Sequence, residues 1–232
     1  MQLQDFSVLD LMMRAIVILG ILIMTLSNFG TIRKNRIENE KMVLVKYYNN
    51  FFIQNIPLYS AYVASILLGI SLFRVGSLLH VEMSSTPYIK FLNFILVGSE
   101  ETIRLKSLIF TVSFTGALLF VASCILYNLS QVQLGTNFSL FIDIKEHYTL
   151  KTDRLFKIVR HPMYLFEILF YITASIALLS WALLLWTVCI HIPLIIIKSK
   201  SEDRLLEHYY GTKYLKYKKE VSAFMPGIRW HK

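Results

Sequence analysis

Met163–Ile197 reads MYLFEILFYITASIALLSWALLLWTVCIHIPLIII. As one straight α-helix at 1.5 Å per residue this stretch would be roughly 50 Å long. The hydrocarbon core of a bilayer is only ~30 Å thick, which about 20 apolar residues cross. The stretch must therefore fold back on itself, and the region of Ser180 is the place. The reading is a tight helical hairpin with one span from Met163 to about Leu179 and the next from about Trp181 to Ile197.

The rest of the chain agrees with a bilayer as solvent. Of 232 residues, 55% are hydrophobic and only 17% charged, and the charges cluster between long apolar runs. The mean hydropathy is +0.53. A soluble domain of this length would show far more charge. Three further spans are expected, roughly Leu11 to Phe29, Ile56 to Phe73 and Ser107 to Leu129. The apolar piece Ile89 to Val97 is too short to cross and is read as interfacial or re-entrant. The small-residue cleavage pattern of a signal peptide is missing after the first run, so that run is expected to stay as a span. The fold class is thus all-α, a polytopic membrane protein of about five transmembrane helices with a helical C-terminal tail. A single membrane domain, 1–232, is expected, divided into N-terminal spans (1–133) and a C-terminal region (134–232). The two cysteines, Cys124 and Cys189, lie in apolar runs without metal-site spacing. They are expected to be small core residues.

The net charge is +9. Basic residues gather after span one (Arg33, Lys34, Arg36, Lys41, Lys46), after span three (Lys145, Lys151, Arg154, Lys157, Arg160) and after span five (Lys198 to Lys232). With five spans these segments share one side. The positive-inside rule then places the N-terminus outside or lumenal and the C-terminus in the cytoplasm. No basic patch lies outside these juxtamembrane segments, so no nucleic-acid partner is expected.

Three short patterns follow Gln133. Leu134–Ser139 (LGTNFS) is turn material at the end of span three. Val159–Tyr164 (VRHPMY) opens span four, with Pro162 where a missing N–H costs a helix nothing. Taken alone it is an ordinary helix start with an interfacial Tyr and a snorkelling Arg. Taken as a site, its free N–H groups with Arg160 and His161 would face a polar ligand. Lys198–Gly211 (KSKSEDRLLEHYYG), with Tyr214, Tyr217, Val221 and Pro226 after it, has Leu205, Leu206 and Tyr209 at helical spacing and Gly211 as a C-cap. It fits an amphipathic helix on the membrane. Lys198 and Glu202 are four apart on one face, a spacing common for plain surface pairs.

Together the three patterns resemble the membrane methyltransferases that include isoprenylcysteine carboxyl methyltransferase and the phospholipid methyltransferases. The resemblance covers about residues 134 to 226. It implies a helical hairpin and a tail folded over S-adenosylmethionine. It places the cofactor-binding residues at Tyr148, Thr149, Leu150, Lys151 and Phe156, then at His161, Pro162, Met163 and Tyr164, and after span five at Glu202, with Asp203 beside it. It places the substrate-facing basic residue at Lys198. It names no residue for a chemical step and no metal ligand. The implied partners are a lipophilic small-molecule, lipid or prenylated acceptor and the bilayer, with no particular oligomeric state.

This chain departs from the family pattern at four places. Arg154 and Phe156 stand where the family usually has Gly and Tyr. Lys198 replaces the usual Arg and cannot grip a carboxylate bidentately. Asp203 is shorter than the usual second Glu. The function expected is S-adenosylmethionine-dependent methyl transfer to a lipophilic acceptor at the cytoplasmic face, most like isoprenylcysteine carboxyl methyltransferase. The alternatives are an NADPH-dependent sterol-type reductase and a non-catalytic scaffold or transport subunit. For transport the one clear intramembrane ionisable group is His191, for which the plain reading is a bond to a carbonyl freed near Pro193.

Overall fold

A computed structural model of the chain describes residues 11–26, 44–47, 50–73, 99–139, 141–145 and 148–226. In chain order these form α1 (Leu11–Leu26), β1 (Leu44–Tyr47), α2 (Phe51–Phe73), α3 (Ser99–Leu134), β2 (Asp143–Lys145), α4 (Leu155–Ile158), α5 (Pro162–Ala177), α6 (Trp181–Trp186), α7 (Ile192–Tyr210) and α8 (Thr212–Glu220). A π-helical turn, Thr187–His191, joins α6 to α7 as one continuous rod. The interfacial piece expected at Ile89 to Val97, and most of the first basic segment, lie outside the described residues.

The side chains are arranged for lipid rather than water. Leu118, Leu119, Ile125, Leu129 and Val132 of α3 point outward, as do Leu185, Val188 and Ile190 of the last rod. Ser60, Ser71, Ser123, Thr173, Ser175 and Thr187 are buried. An apolar exterior of this extent is foreign to a soluble monomer. In a membrane, helices gain little from hiding apolar groups and associate instead through close packing and interhelical hydrogen bonds. Among the described residues, three helices are long and apolar enough to cross: Phe51–Leu72, Ser107–Asn137 and Trp181–Tyr210. Leu11–Leu26 and Pro162–Ala177 are apolar but shorter. Against the five spans expected, three therefore meet the length of a bilayer; at 16 residues α5 covers about 24 Å.

The hairpin is present where the length argument placed it. Ser180 N donates to Ser175 O at 2.8 Å, Leu179 takes a positive φ of 50°, and the Ser180 hydroxyl accepts from Leu183 N to start α6. Ser71 of α2 donates to Ser180 Oγ at 2.7 Å, tying the turn to a third helix. Small residues then let α3 and α5 touch. A Cβ on Gly116 would stand 2.8 Å from Ala177 N, and the Phe120 and Phe170 rings meet at 4.7 Å just along the same seam.

Two short strands qualify the all-α expectation. β1 and β2 pair antiparallel, Lys46 with Ile144 and Tyr47 with Asp143. Gln54 extends the ladder from α2: its amide donates to Ile142 O at 3.1 Å and accepts from Ile142 N at 2.7 Å. This strap holds the segment after α3 against the start of α2, beside the buried Leu205, Leu206 and Tyr214. Cys124 is buried as expected, but Cys189 is exposed, because the π turn faces it outward.

Candidate functional site

The chain after α3 turns sharply at Gly135, whose φ of 59° suits a residue without a side chain. Asn137 follows and fastens the next loop by donating to Thr149 O at 2.6 Å. That loop reaches α4, and α4 is held from the tail, since the Tyr217 hydroxyl donates to Phe156 O at 2.5 Å. The Tyr210 hydroxyl donates to Tyr148 O at 2.6 Å. The tail thus lies over residues 148–160, and three tyrosines of α7 and α8 fix it there.

The third of these, Tyr214, belongs to a buried cluster around Asp203. The Asp203 carboxylate accepts from Arg160 at 2.9 Å, pairs with His161 Nε2 at 2.8 Å, and accepts from the Tyr214 hydroxyl. Burial first, and then the Asp203 charge, push the Tyr214 phenol far above its ordinary value, so it stays a protonated donor. Arg160 also donates to Val221 O and to Lys218 O. The backbone N–H groups of Arg160 and His161 are taken by Ser222 O and Ala223 O, at 2.8 and 3.1 Å. The Arg160 guanidinium and two of the N–H groups at the VRHPMY start are thus engaged by the protein's own tail, while Arg160 and His161 also border a cavity. Asp203 likewise turns into this cluster, while its neighbour Glu202 turns the other way.

A cavity of about 260 Å³ lies on that other side. Tyr148, Leu150, Lys151, Phe156, His161, Pro162, Met163, Tyr164, Lys198 and Glu202 all line it. Of the positions the resemblance singled out, Thr149 and Asp203 do not; the Thr149 side chain is exposed and its backbone is spent on Asn137, and Asp203 turns into the buried cluster. His161 Nδ1 stands 3.7 Å from Glu202 Oε2, and its ring stacks on Tyr164 with centroids 5.6 Å apart. Burial, and next the Glu202 charge, raise the Tyr148 phenol, which therefore offers a neutral ring face and hydroxyl. Lys198 is buried, with Nζ 5.7 Å from the centre of the Tyr164 ring. It lies within electrostatic reach of Glu202 and of Glu167.

Glu167 was not foreseen. It lines the cavity's inner end with Tyr127, Phe170 and Tyr171. An acid within an apolar span is the signal that marks it, and the hydrophobic average of the run conceals it. Behind it stands His191, fully buried, with Nε2 3.4 Å from Glu167 Oε1. That is ion-pair distance without hydrogen-bond alignment. His191 Nδ1 meets Ser60 Oγ at 3.2 Å. The histidine thus engages side chains and not the freed carbonyl expected near Pro193.

The residues present fit S-adenosylmethionine by their chemistry. Glu202 is an acid suited to an ammonium group, and the Tyr148, Phe156 and Tyr164 rings offer stacking faces that also attract a sulfonium. Residues 111–213, a little under half of the chain, match the family model described as phospholipid methyltransferase. No curated protein matches the chain. The matched segment runs from α3 into the start of α8 and takes in Arg160, His161 and Asp203 of the buried cluster, ending one residue before Tyr214, and the cavity wall from Tyr127 to Glu202.

Proposed function

We propose that this membrane protein, whose residues 111–213 match the phospholipid methyltransferase family model, transfers a methyl group from S-adenosylmethionine to a lipophilic acceptor at the cytoplasmic face. The observation that carries the reading is the convergence of ten residues, spread from Tyr148 to Glu202, on one cavity beside apolar helices. The acceptor class favoured by the matched family is a lipid rather than the isoprenylcysteine carboxylate. The orientation that goes with this reading has the N-terminus outside and the C-terminus cytoplasmic, from the charge of the basic segments.

When bound, the cofactor supplies an activated methyl group on sulfonium sulfur, so the protein needs chiefly to position and desolvate. Glu202 would accept hydrogen bonds from the cofactor's ammonium group, and Tyr148 and Phe156 would offer stacking faces to a flat ring. The Asp203 cluster locks the tail over the site and keeps bulk water out. Lys198 orients the acceptor as it arrives from the bilayer side, where Met24, Pro57 and Ala61 of α1 and α2 border the cavity.

Calorimetric titration of the purified chain with S-adenosylmethionine, and separately with NADPH, tests this. Glu202→Ala should weaken S-adenosylmethionine by about 10- to 100-fold, the value of one charge-assisted hydrogen bond, with an unchanged unfolding temperature. Unchanged affinity in the folded variant would remove Glu202 from the site. Binding of NADPH in its place would turn the reading towards a reductase.

A further inference from the structure

Within the methyl-transfer reading, on which this inference rests, we infer that Glu167, held in place by His191 and Ser60, takes a proton from the acceptor, so that the acceptor is a nucleophile with a proton to lose and not a carboxylate. The geometry runs in one direction. Ser60 is 4% exposed and His191 0%, whereas the Glu167 side chain retains 21% exposure and borders the cavity. The chain of side chains therefore ends at the cavity in a carboxylate. A serine nucleophile is excluded because Ser60 is the end away from the cavity.

An ionisable pair at this depth is expensive, and Gln would pack as well in either place if only shape were required. Three elements converge to hold it. α5 supplies Glu167. The π turn before Pro193 aims His191 inward, and such turns recur at functional sites. Tyr171 packs edge-on against the imidazole, 5.2 Å between centroids, and fixes itself by donating to Ala61 O at 3.1 Å. The charged and titratable groups facing Glu167 are His191 and Lys198 from the last rod, Tyr127 from α3, and Tyr164 and Tyr171 from its own helix.

The charge pattern disfavours a carboxylate acceptor. Glu167 and Glu202 are both on the cavity wall, and Lys198, the cation named to meet an acceptor carboxylate, lies within reach of both acids. A third carboxylate between them would face net repulsion. An acceptor with a proton to lose meets the opposite situation. Its nucleophilic atom bonds to the methyl carbon as the carbon–sulfur bond breaks. The sulfur keeps the electron pair and loses its charge, and the proton passes to Glu167, which becomes neutral.

The test uses the full chain in detergent micelles with methyl-labelled S-adenosylmethionine and two probes of equal chain length, dodecylamine and dodecanoate. Wild-type protein is expected to methylate dodecylamine and leave dodecanoate untouched. Glu167→Gln should lower the single-turnover rate at pH 7 by about 100-fold or more, the usual contribution of a positioned base. It should leave the cofactor dissociation constant within about twofold, and its rate should climb as pH approaches the amine's own ionisation, where solvent supplies the neutral form. Binding of dodecylamine to cofactor-free protein, followed by tryptophan fluorescence, should weaken about tenfold in the same variant. His191→Gln, a positioning change, should lower the rate by about tenfold and displace its pH profile, and keeps the test alive if Glu167→Gln fails to fold. A wild-type rate in folded Glu167→Gln, a tenfold loss of cofactor affinity in it, or methylation of dodecanoate at the rate of the amine would each overturn the inference. Failure of wild-type protein to bind S-adenosylmethionine would instead sink the methyl-transfer reading, and this inference with it.

Discussion

Asp203→Asn is the change that probes the site's framework most directly. The Asp203 carboxylate is buried and holds Arg160 at 2.9 Å and His161 at 2.8 Å, with the Tyr214 hydroxyl as a third donor. Asn keeps the size and removes the charge. One side of its amide must then present N–H groups to Arg160 or to the Tyr214 and His161 side, so at least one donor faces a donor. The Arg160 side chain is itself only 8% exposed and would be left without its counter-charge. Breaking a buried pair by removing one partner costs about 3–5 kcal/mol. At roughly 2–4 °C per kcal/mol for a chain of this size, the unfolding midpoint should fall by on the order of 10 °C. The assay is thermal unfolding in detergent followed by tryptophan fluorescence, with cofactor titration well below the midpoint. Affinity should fall less than with Glu202→Ala, since Asp203 faces away from the cavity. A midpoint within about 2 °C of wild type, outside the range that a lost buried pair allows, would refute the argument that this cluster locks the tail.

Arg154 adopts φ 52° and ψ −120°, a backbone conformation that favours glycine and costs other residues roughly 1–3 kcal/mol. Its contact with Asp153, 3.9 Å between two exposed side chains, returns little. Arg154→Gly should therefore be more stable than Arg154→Ala by about 1 kcal/mol in chemical unfolding, and equal stability of the two variants would show the strain to be absent. Gly116→Ala should act in the opposite direction. Its Cβ would meet Ala177 N at 2.8 Å, forcing α3 and α5 apart at a cost of about 1–3 kcal/mol, and an unchanged unfolding midpoint would contradict so close an approach.

Much of the fold was legible because the bilayer imposes it. The length of Met163–Ile197 alone requires a turn near Ser180, and that turn is where the chain reverses. Most of the cavity wall was legible through the VRHPMY pattern and the run from Lys198 onward. What a helix start cannot show is where its N–H groups go. That depended on Ser222 and Ala223, more than 60 residues away, so the tail-anchoring role of Arg160, which also borders the cavity, was hidden. The same distance effect hid the division of labour between Glu202 and Asp203. Adjacent residues on a helix point about 100° apart, so one can face the cavity while the other faces Arg160 and Tyr214. The strands were invisible for another reason: their ladder is short and is continued by a side chain, Gln54, for which no strand periodicity exists.

Glu167 and His191 differ from these cases, because the hairpin itself makes them a pair. In an antiparallel helical hairpin, residues equally distant from the turn lie at the same depth. Glu167 stands twelve residues before Leu179 and His191 twelve residues after it. The turn at Leu179 therefore sets acid and imidazole level with each other, whatever else the helices do. Equal depth does not ensure that they face one another, and here the π turn decides. Thr187–His191 contains one wider turn than an α-helix would make. It shifts the angular position of every residue after it relative to those before. Cys189 thereby faces out and His191 faces Glu167. Pro193 favours such a loosened turn, since it has no N–H to give to the preceding carbonyls. The depth of the pair is thus set by turn position and its facing by one local irregularity. The same irregularity leads into α7, which carries Lys198 and Glu202 on the cavity side about two and three turns further on. A single rod therefore places His191 behind Glu167 at one end of the cavity and Glu202 on the cavity wall further along.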